Sequence, residues 1–466
     1  MQRLSRISKQ SLFWWVLALS GFIPLYPKFP LFKVPGTYVA VRLEDFLIAF
    51  AVLFWFFSIW PRLNALLRET VTQSILLYWA IGALSLFAGI FLTNTVVAHL
   101  GLLHYLRRIE TMVLFFIALS AFESLHQVRI WLKVMFLVTV AIVLYGFGQQ
   151  YFHLPVISTT NREFSKGLIL FLSPEARVNS TFAGHYDLAA YLAFALTITV
   201  VFFFRVKKNI QKIGLTFVGV LSFVLLSLTA ARVSFVAAIL GIGSFLFLTG
   251  HKKLVLMLLG AALVALVISP DLRHRTVATL TVNLLGGGGA KYDPPTQMPG
   301  ETTKFSIENA ATGAATPSGV PVDIVPGEPL NTTELGVSRS FGIRLNEEWP
   351  RAIRAFEKSP FLGTGYSSIT IATDNDYLRS LGEVGLLGTA SLGLVFFIII
   401  KRMWKFLRYA LKRTVYYLVL GLFCGLLTVF LTQIFIDVLE SSKIAQLLWL
   451  SLGVGFAAMK LEERSG

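Results

Sequence analysis

Between Pro360 and Gly388 the chain reads PFLGTGYSSITIATDNDYLRSLGEVGLLG. This is a glycine-rich turn, the polar pair Asp374-Asn375, and an amphipathic start that runs into an apolar helix. Two arginines stand in comparable places. Arg177 lies in FLSPEARVNSTFAGHYDLAAYL just ahead of an apolar run, and Arg232 lies in SLTAARVSFVAAIL, in the tight turn between two such runs. A charge at the edge of hydrocarbon is costly and is by default a functional hypothesis. Arginine suits phosphate, because its planar fork offers two parallel charged hydrogen bonds and keeps its proton. The alternative is that each arginine snorkels to lipid headgroups or ties two loops together. Asp374 also carries two readings. Thr-Asp-Asn ahead of an apolar-periodic run is a helix N-cap signature, and a cap has no catalytic duty. Against that, Leu378, Leu381 and Val384 fall on one side, while Gly382, Gly385 and Gly388 allow close helix approaches within the membrane.

Other polar residues have simpler readings beside the functional one. His185 and Asp187 open an apolar run, where a histidine is a structural hydrogen bonder or a ligand contact. Arg344 and Arg351 belong to an amphipathic segment whose polar face could merely be solvated. Glu44-Asp45 and Asp437 to Glu440 sit at the ends of apolar runs as caps or loop contacts. Glu110 is close enough to Arg107 and Arg108 for a local ion pair.

The elements that must position these residues are membrane spans. The 466 residues are 55% hydrophobic and only 14% charged, with a mean hydropathy of +0.70, which excludes a soluble domain. Apolar runs of about 17–25 residues recur, each long enough to cross roughly 30 Å of hydrocarbon. They are placed near 11–27, 43–60, 73–92, 109–122, 130–148, 186–204, 213–229, 233–249, 254–269, 384–400, 414–433 and 443–459. The first follows a basic start but lacks a small-residue cleavage site, so it reads as a retained anchor. The single cysteine, Cys424, falls within a span, which excludes disulfides and a cysteine-based metal site.

The net charge of +16 is a topology signal and not a nucleic-acid footprint. Its clusters, MQRLSRISK, PRLNALLR, RVKKNIQK, HKK and KRMWKFLRYALKR, fall on one side of the expected spans. The positive-inside bias makes that side cytoplasmic, with both termini inside. The fold class is therefore an all-α polytopic membrane protein of about twelve helices. Spans 1–9 occupy 1–269, a large external loop occupies 270–383, and spans 10–12 with a short tail occupy 384–466. Within the loop, 284–336 is rich in Gly, Pro, Thr and Ser and is expected to be mobile. From 338 to 358, apolar residues at Phe341, Leu345, Trp349, Ile353 and Phe356 predict an amphipathic helix, with Pro350 as a break or kink. Such a helix over a bundle would make a lid or wall for a site.

Taken together, these residues resemble the O-antigen ligase and O-antigen polymerase superfamily of the bacterial inner membrane. The run DNDYLRSLGEVGLLG is similar to its signature, with nine residues from Asn375 to Gly385 and a final Gly388. PFLGTGY resembles the family's Pro-x-x-Gly-x-Gly turn, and RVNSTFAGHYDLAAYL its arginine-containing lead into a span. TAARVSFV resembles its Thr-x-Ser-Arg turn and Arg-x-x-x-Leu motif, with Ala231 for the serine and Val236 for the leucine. The resemblance covers about residues 170–400. One departure is chemical: the ligase-type histidine is Asp374 here. An ordinary aspartate, with a pKa of about 3.9, is a weaker base than histidine at about 6.5 unless desolvation raises it. The change tilts the reading from ligase toward polymerase.

The resemblance implies a GT-C-like glycosyltransferase working on the outer leaflet. Its donor would be a glycan on undecaprenyl diphosphate and its acceptor a glycan or lipid, with membrane lipid around it. Arg177 and Arg232 would stabilise the departing diphosphate without a metal or cofactor. Asp374 would orient or deprotonate the acceptor hydroxyl. Asn375, Tyr377, His185, Arg344 and Arg351 are the implied substrate contacts. The competing class is a transporter or lipid-linked-glycan flippase. Many of those carry two similar halves and a long central cytoplasmic loop, whereas here the middle connection, Arg205 to Lys212, is short and the long loop is external. A scaffold or sensor displaying that loop is the third reading, against which only the two arginines speak.

Overall fold

In a computed structural model the described residues are 2–27, 29–33, 40–156, 177–270, 272–273, 276, 344–369, 372–410 and 413–465. The expected mobile stretch 284–336 lies outside them, as do residues 338–343 of the expected external helix. In chain order the helices are α1 (Gln2–Leu25), α2 (Leu43–Ile59), α3 (Leu63–Leu67), α4 (Thr70–Phe91), α5 (Ala98–Ala121), α6 (Leu125–Phe152), α7 (His185–Arg205), α8 (Asn209–Leu228), α9 (Arg232–Leu248), α10 (Lys252–Ile268), α11 (Trp349–Lys358), α12 (Asp376–Tyr409), α13 (Thr414–Thr432) and α14 (Ser442–Ser465). Between α1 and α2, β1 (Pro30–Lys33) pairs antiparallel with β2 (Ala40–Arg42), a hairpin not anticipated from the sequence.

Every expected apolar range falls on one of these helices, because a helix satisfies its backbone internally. Seven of them (α4, α6, α7, α8, α12, α13 and α14) are long and apolar enough to cross a membrane, and α1 and α9 contain shorter apolar stretches. This is the architecture of an all-α, multi-pass membrane protein. α14 is its most enclosed element, with 89% of its apolar window buried. It packs along α5, while α12 packs along α4 and α13 lies against both α7 and α9. Trp449 of α14, fully buried, stacks on Phe396 of α12 at 5.5 Å and meets Phe115 of α5 edge-on at 6.5 Å.

α12 starts earlier than the range 384–400 and bends at Gly385, whose backbone is left-handed (φ 65°). A bend of this kind exposes amide groups that must find other partners. The Pro360–Gly365 turn supplies them. Thr364 N donates to Gly382 O (2.9 Å) and Gly365 N to Glu383 O (2.8 Å). Leu386 N donates to Pro360 O (2.8 Å) and Leu387 N to Phe361 O (3.1 Å). The glycines expected to meet another spanning helix therefore do something else. Gly382 faces Ile369 and the Ala352 carbonyl, Gly385 faces the re-entering turn, and Gly388 faces Val384 of its own helix.

α11 packs on the start of α12. Pro350 sits in its first turn, where a missing N–H breaks no helical bond. It marks the helix start instead of kinking it, and a π-helical turn, Arg344–Glu348, leads in. The buried face also differs from the expected apolar stripe. Arg351, Ala352 and Ala355 are buried, while Ile353 is 43% exposed. Small side chains win that face because Ala352 and Ala355 lie directly against Gly382.

Candidate functional site

Three arginines from separate stretches of the chain come within electrostatic reach of one another, Arg177 and Arg344 both acting on Arg232. Arg177 precedes α7 and directs Nη1 at Nε2 of His185, 2.7 Å away, on the first residue of that helix. A guanidinium only donates, so Nε2 accepts and the imidazole carries its hydrogen on Nδ1. The His185 ring lies 4.1 Å from that of Tyr186. His185 thus accepts a hydrogen bond from Arg177.

Arg232 is the first residue of α9. The turn before it is held by Thr229, whose Oγ1 donates to Leu226 O (2.6 Å) and accepts from Ala231 N (3.3 Å). Ala230 takes a left-handed φ of 50° to close the turn. The positive end of a helix disfavours a cation, so an arginine here gains from an anion brought to the same place. Arg232 lies within electrostatic reach of Tyr186, Arg344 and Arg177.

Arg344 comes from the π-helical turn and binds Asp374, Nη2 to Oδ2, at 2.5 Å. The cap reading of Thr-Asp-Asn is resolved in favour of Asn375. Its Oδ1 accepts from Leu378 N at 2.9 Å, and it is the N-cap of α12. Asp374 is therefore released from capping and holds a left-handed φ of 49°. Its loop is clamped by Asp437, whose Oδ2 accepts from Thr373 N (2.9 Å) and whose Oδ1 accepts from Asn375 N (2.9 Å). On the other side Asp376 Oδ2 accepts from Leu439 N, also at 2.9 Å. Tyr377 is not drawn into this cluster: its hydroxyl donates to Phe430 O (2.9 Å) and its ring is 40% exposed.

The polar side chains singled out in the α11 region are not solvated, although Glu357 and Lys358 at the end of the helix are exposed. Arg344 and Arg351 are buried, as is Glu348 on the same turn. Burial, and then the charge of Asp374, pushes the Glu348 carboxyl up to about 9 against the pull of Arg344. Burial likewise raises Asp374, opposed by Arg344 and reinforced by Asp437. A raised carboxylate is a better base near neutrality than an ordinary aspartate. Glu348 yields a stability prediction. Its folded pKa exceeds the value of 4.5 it would have unfolded, so its proton favours the fold fully below pH 4.5, and that contribution is lost as pH rises through about 9. Melting temperature in detergent should fall from pH 5 to pH 9, and Glu348→Gln should flatten the fall. The slope left in the variant belongs to groups such as Asp374, raised in the same sense. An equally steep variant would refute the assignment.

Behind the site lies a buried ion network. Arg379 meets Asp437 (3.1 Å), Glu383 (3.3 Å) and Glu440 (3.6 Å). Arg108 binds Glu440 and the Leu439 carbonyl. Burial would raise the Glu440 carboxyl, but Arg108 and Arg379 hold it at about 2. Arg107 reaches Asp45 at 2.8 Å. Arg107 also lies within electrostatic reach of Glu110, three residues on along the same helix face, as expected, whereas residues two apart, such as Arg108 and Glu110, do not share a face. Asp45 does act as a cap, accepting from Arg42 N at 2.9 Å.

No protein-family model matches the chain, and no curated protein matches it. The site is accordingly read from its own chemistry: three guanidinium groups, one reachable carboxylate and a second carboxyl pushed up by burial. Glu348, Asp437 and Arg379 were missed as site residues. Glu348 follows Arg344 by four residues and Glu383 follows Arg379 by four, spacings that place each pair on one helical face. Asp437 gave only the signal of an acid between two apolar runs.

Proposed function

We propose that this protein is a GT-C-like membrane glycosyltransferase of surface-polysaccharide assembly. It polymerises or ligates undecaprenyl-diphosphate-linked glycans on the outer face of the bacterial cytoplasmic membrane, with polymerisation favoured. The gathering of Arg177, Arg232 and Arg344 beside Asp374 carries the proposal. Three cations that keep their proton fit a diphosphate, and the carboxylate beside Arg344 fits an acceptor hydroxyl. The likeness to the O-antigen ligase and polymerase superfamily supports it further, as does the coincidence of all twelve apolar ranges with helices, for which both termini are cytoplasmic.

In the reaction, the acceptor oxygen forms a bond to the anomeric carbon while the bond from that carbon to the lipid diphosphate breaks. The electron pair leaves on the diphosphate oxygen, where the arginines stabilise it, and the hydroxyl proton passes to Asp374. Aspartate at the ligase-type histidine position is the reason for favouring polymerisation.

Deleting the gene and identifying the lipid-linked glycan that accumulates tests the class. Single repeat units indicate a polymerase and full-length chains a ligase, whereas inward-facing, unflipped donor would sink both in favour of a flippase. In purified protein, Arg232→Ala is expected to lower glycan transfer by about 100-fold, the scale for losing one preorganised charge-stabilising group. Transfer at the wild-type rate would remove Arg232 from the diphosphate site.

A further inference from the structure

The Arg344–Asp374 pair joins two groups that the proposed reaction needs apart. While the guanidinium holds the carboxylate at 2.5 Å, Asp374 Oδ2 is occupied and Arg344 spends its charge within the protein. We infer that this pair is a latch worked by the donor: a diphosphate entering the arginine cluster takes Arg344 from Asp374, and the carboxylate then opens to the acceptor. The inference rests on reading the cluster as a diphosphate site, and it makes donor binding precede acceptor activation.

The two partners are unequally fixed. The Asp374 loop is pinned by Asp437 through Thr373 N and Asn375 N, and by the Asn375 cap. Arg344 stands on a five-residue π-helical turn, a wide-turn geometry frequent at functional sites. Arg344 is therefore the partner that moves. Its guanidinium is not saturated either, since its Nε meets no hydrogen-bond acceptor among the described residues. The anion that draws it away is favoured by charge: a diphosphate also meets Arg232 and Arg177, which lie within electrostatic reach of one another, whereas Asp374 is a single carboxylate. Access runs in the same sense. The Asp374 side chain is 28% exposed and that of Arg344 only 6%, so release uncovers a carboxylate already facing outward.

A latch that must open before ligand binds weakens that ligand by the fraction of time it is open. If the pair is closed about nine-tenths of the time, Asp374 lowers donor affinity about tenfold. A carboxylate that acted only as a base would still repel the diphosphate, but that repulsion would persist without Arg344, whereas the effect of a latch vanishes once Arg344 is gone.

The test measures binding of undecaprenyl diphosphate to the full-length protein in nanodiscs. Asp374→Asn keeps the shape, suits a left-handed backbone and removes the competing charge, so it should bind about tenfold more tightly while losing transfer. Arg344→Gln should bind more weakly, and adding Asp374→Asn to it should change nothing further. On the wild-type protein, which needs no variant to fold, carbodiimide labelling of Asp374 should rise when undecaprenyl diphosphate is added. Wild-type binding with unchanged or weaker Asp374→Asn binding, or labelling that does not rise, overturns the latch alone. No binding to either protein overturns the diphosphate reading and the latch with it.

Discussion

Replacing Asp437 by alanine is expected to cost about 3–5 kcal/mol of stability, the range for removing one member of a buried ionic group, and to abolish transfer. Asp437 is 11% exposed at the side chain and has three dependants: Thr373 N, Asn375 N and the buried guanidinium of Arg379. Alanine leaves both amides without this acceptor and takes one of its carboxylates from Arg379, which keeps Glu383 and Glu440. The amides flank Asp374, so the left-handed conformation that presents its carboxylate to Arg344 loses support on both sides. Asparagine should be milder, because its oxygen can still accept from one of the donors, although its NH2 then opposes another. Denaturant unfolding in detergent, run beside a glycan-transfer assay, checks this. An alanine variant within about 1 kcal/mol of wild type and fully active would remove Asp437 as the support of the site.

The contrast between Asp437 and Arg232 shows how far the sequence could be read. Arg232 stands out because a charge between two apolar runs is expensive, and that cost is visible without knowing which elements meet. Asp437 occupies a similar place, yet its importance comes from a partner loop more than sixty residues earlier in the chain. No local pattern encodes such a pairing. The helices were legible for the same reason as Arg232, since apolar length alone decides them. The face that α11 buries was not, because close approach to Gly382 selects Ala352 and Ala355 over the larger apolar residues. Capping was legible in kind but not in position: Thr373, Asp374 and Asn375 could all cap, and only the geometry at Leu378 N shows that Asn375 does. That displacement by one residue decides whether Asp374 has a structural or a chemical task. Likewise PFLGTGY and LGEVGLLG both stand out in the sequence, but that one fills the backbone gap of the other follows only from the bend at Gly385.

That bend supports the second large effect. Gly385→Ala is expected to destabilise the protein by roughly 4 kcal/mol and to take activity with it. With φ 65° and ψ −169° this backbone lies in a region essentially restricted to glycine, which costs another residue about 1–3 kcal/mol. The added Cβ would also collide with the Phe361 carbonyl and lie against Gly363 N, which are backbone atoms and cannot rotate aside as a side chain can. Moving the turn away strains four backbone hydrogen bonds, at Thr364, Gly365, Leu386 and Leu387, each worth about 1 kcal/mol. The turn is also tied to α4, where Gly89 lies against Gly365, and the Thr95 hydroxyl just beyond α4 donates to Thr364 O at 2.5 Å. A displaced turn would therefore disturb the seam between α4 and α12 and the α12 start that carries Asn375. Gly393→Ala is the control on the same helix. Nothing lies within 4 Å of its would-be Cβ, so it should be neutral or stabilising by up to about 1 kcal/mol through helix propensity. If both variants unfold alike, the bend at Gly385 is not what couples the Pro360–Gly365 turn to the helix that presents Asp374.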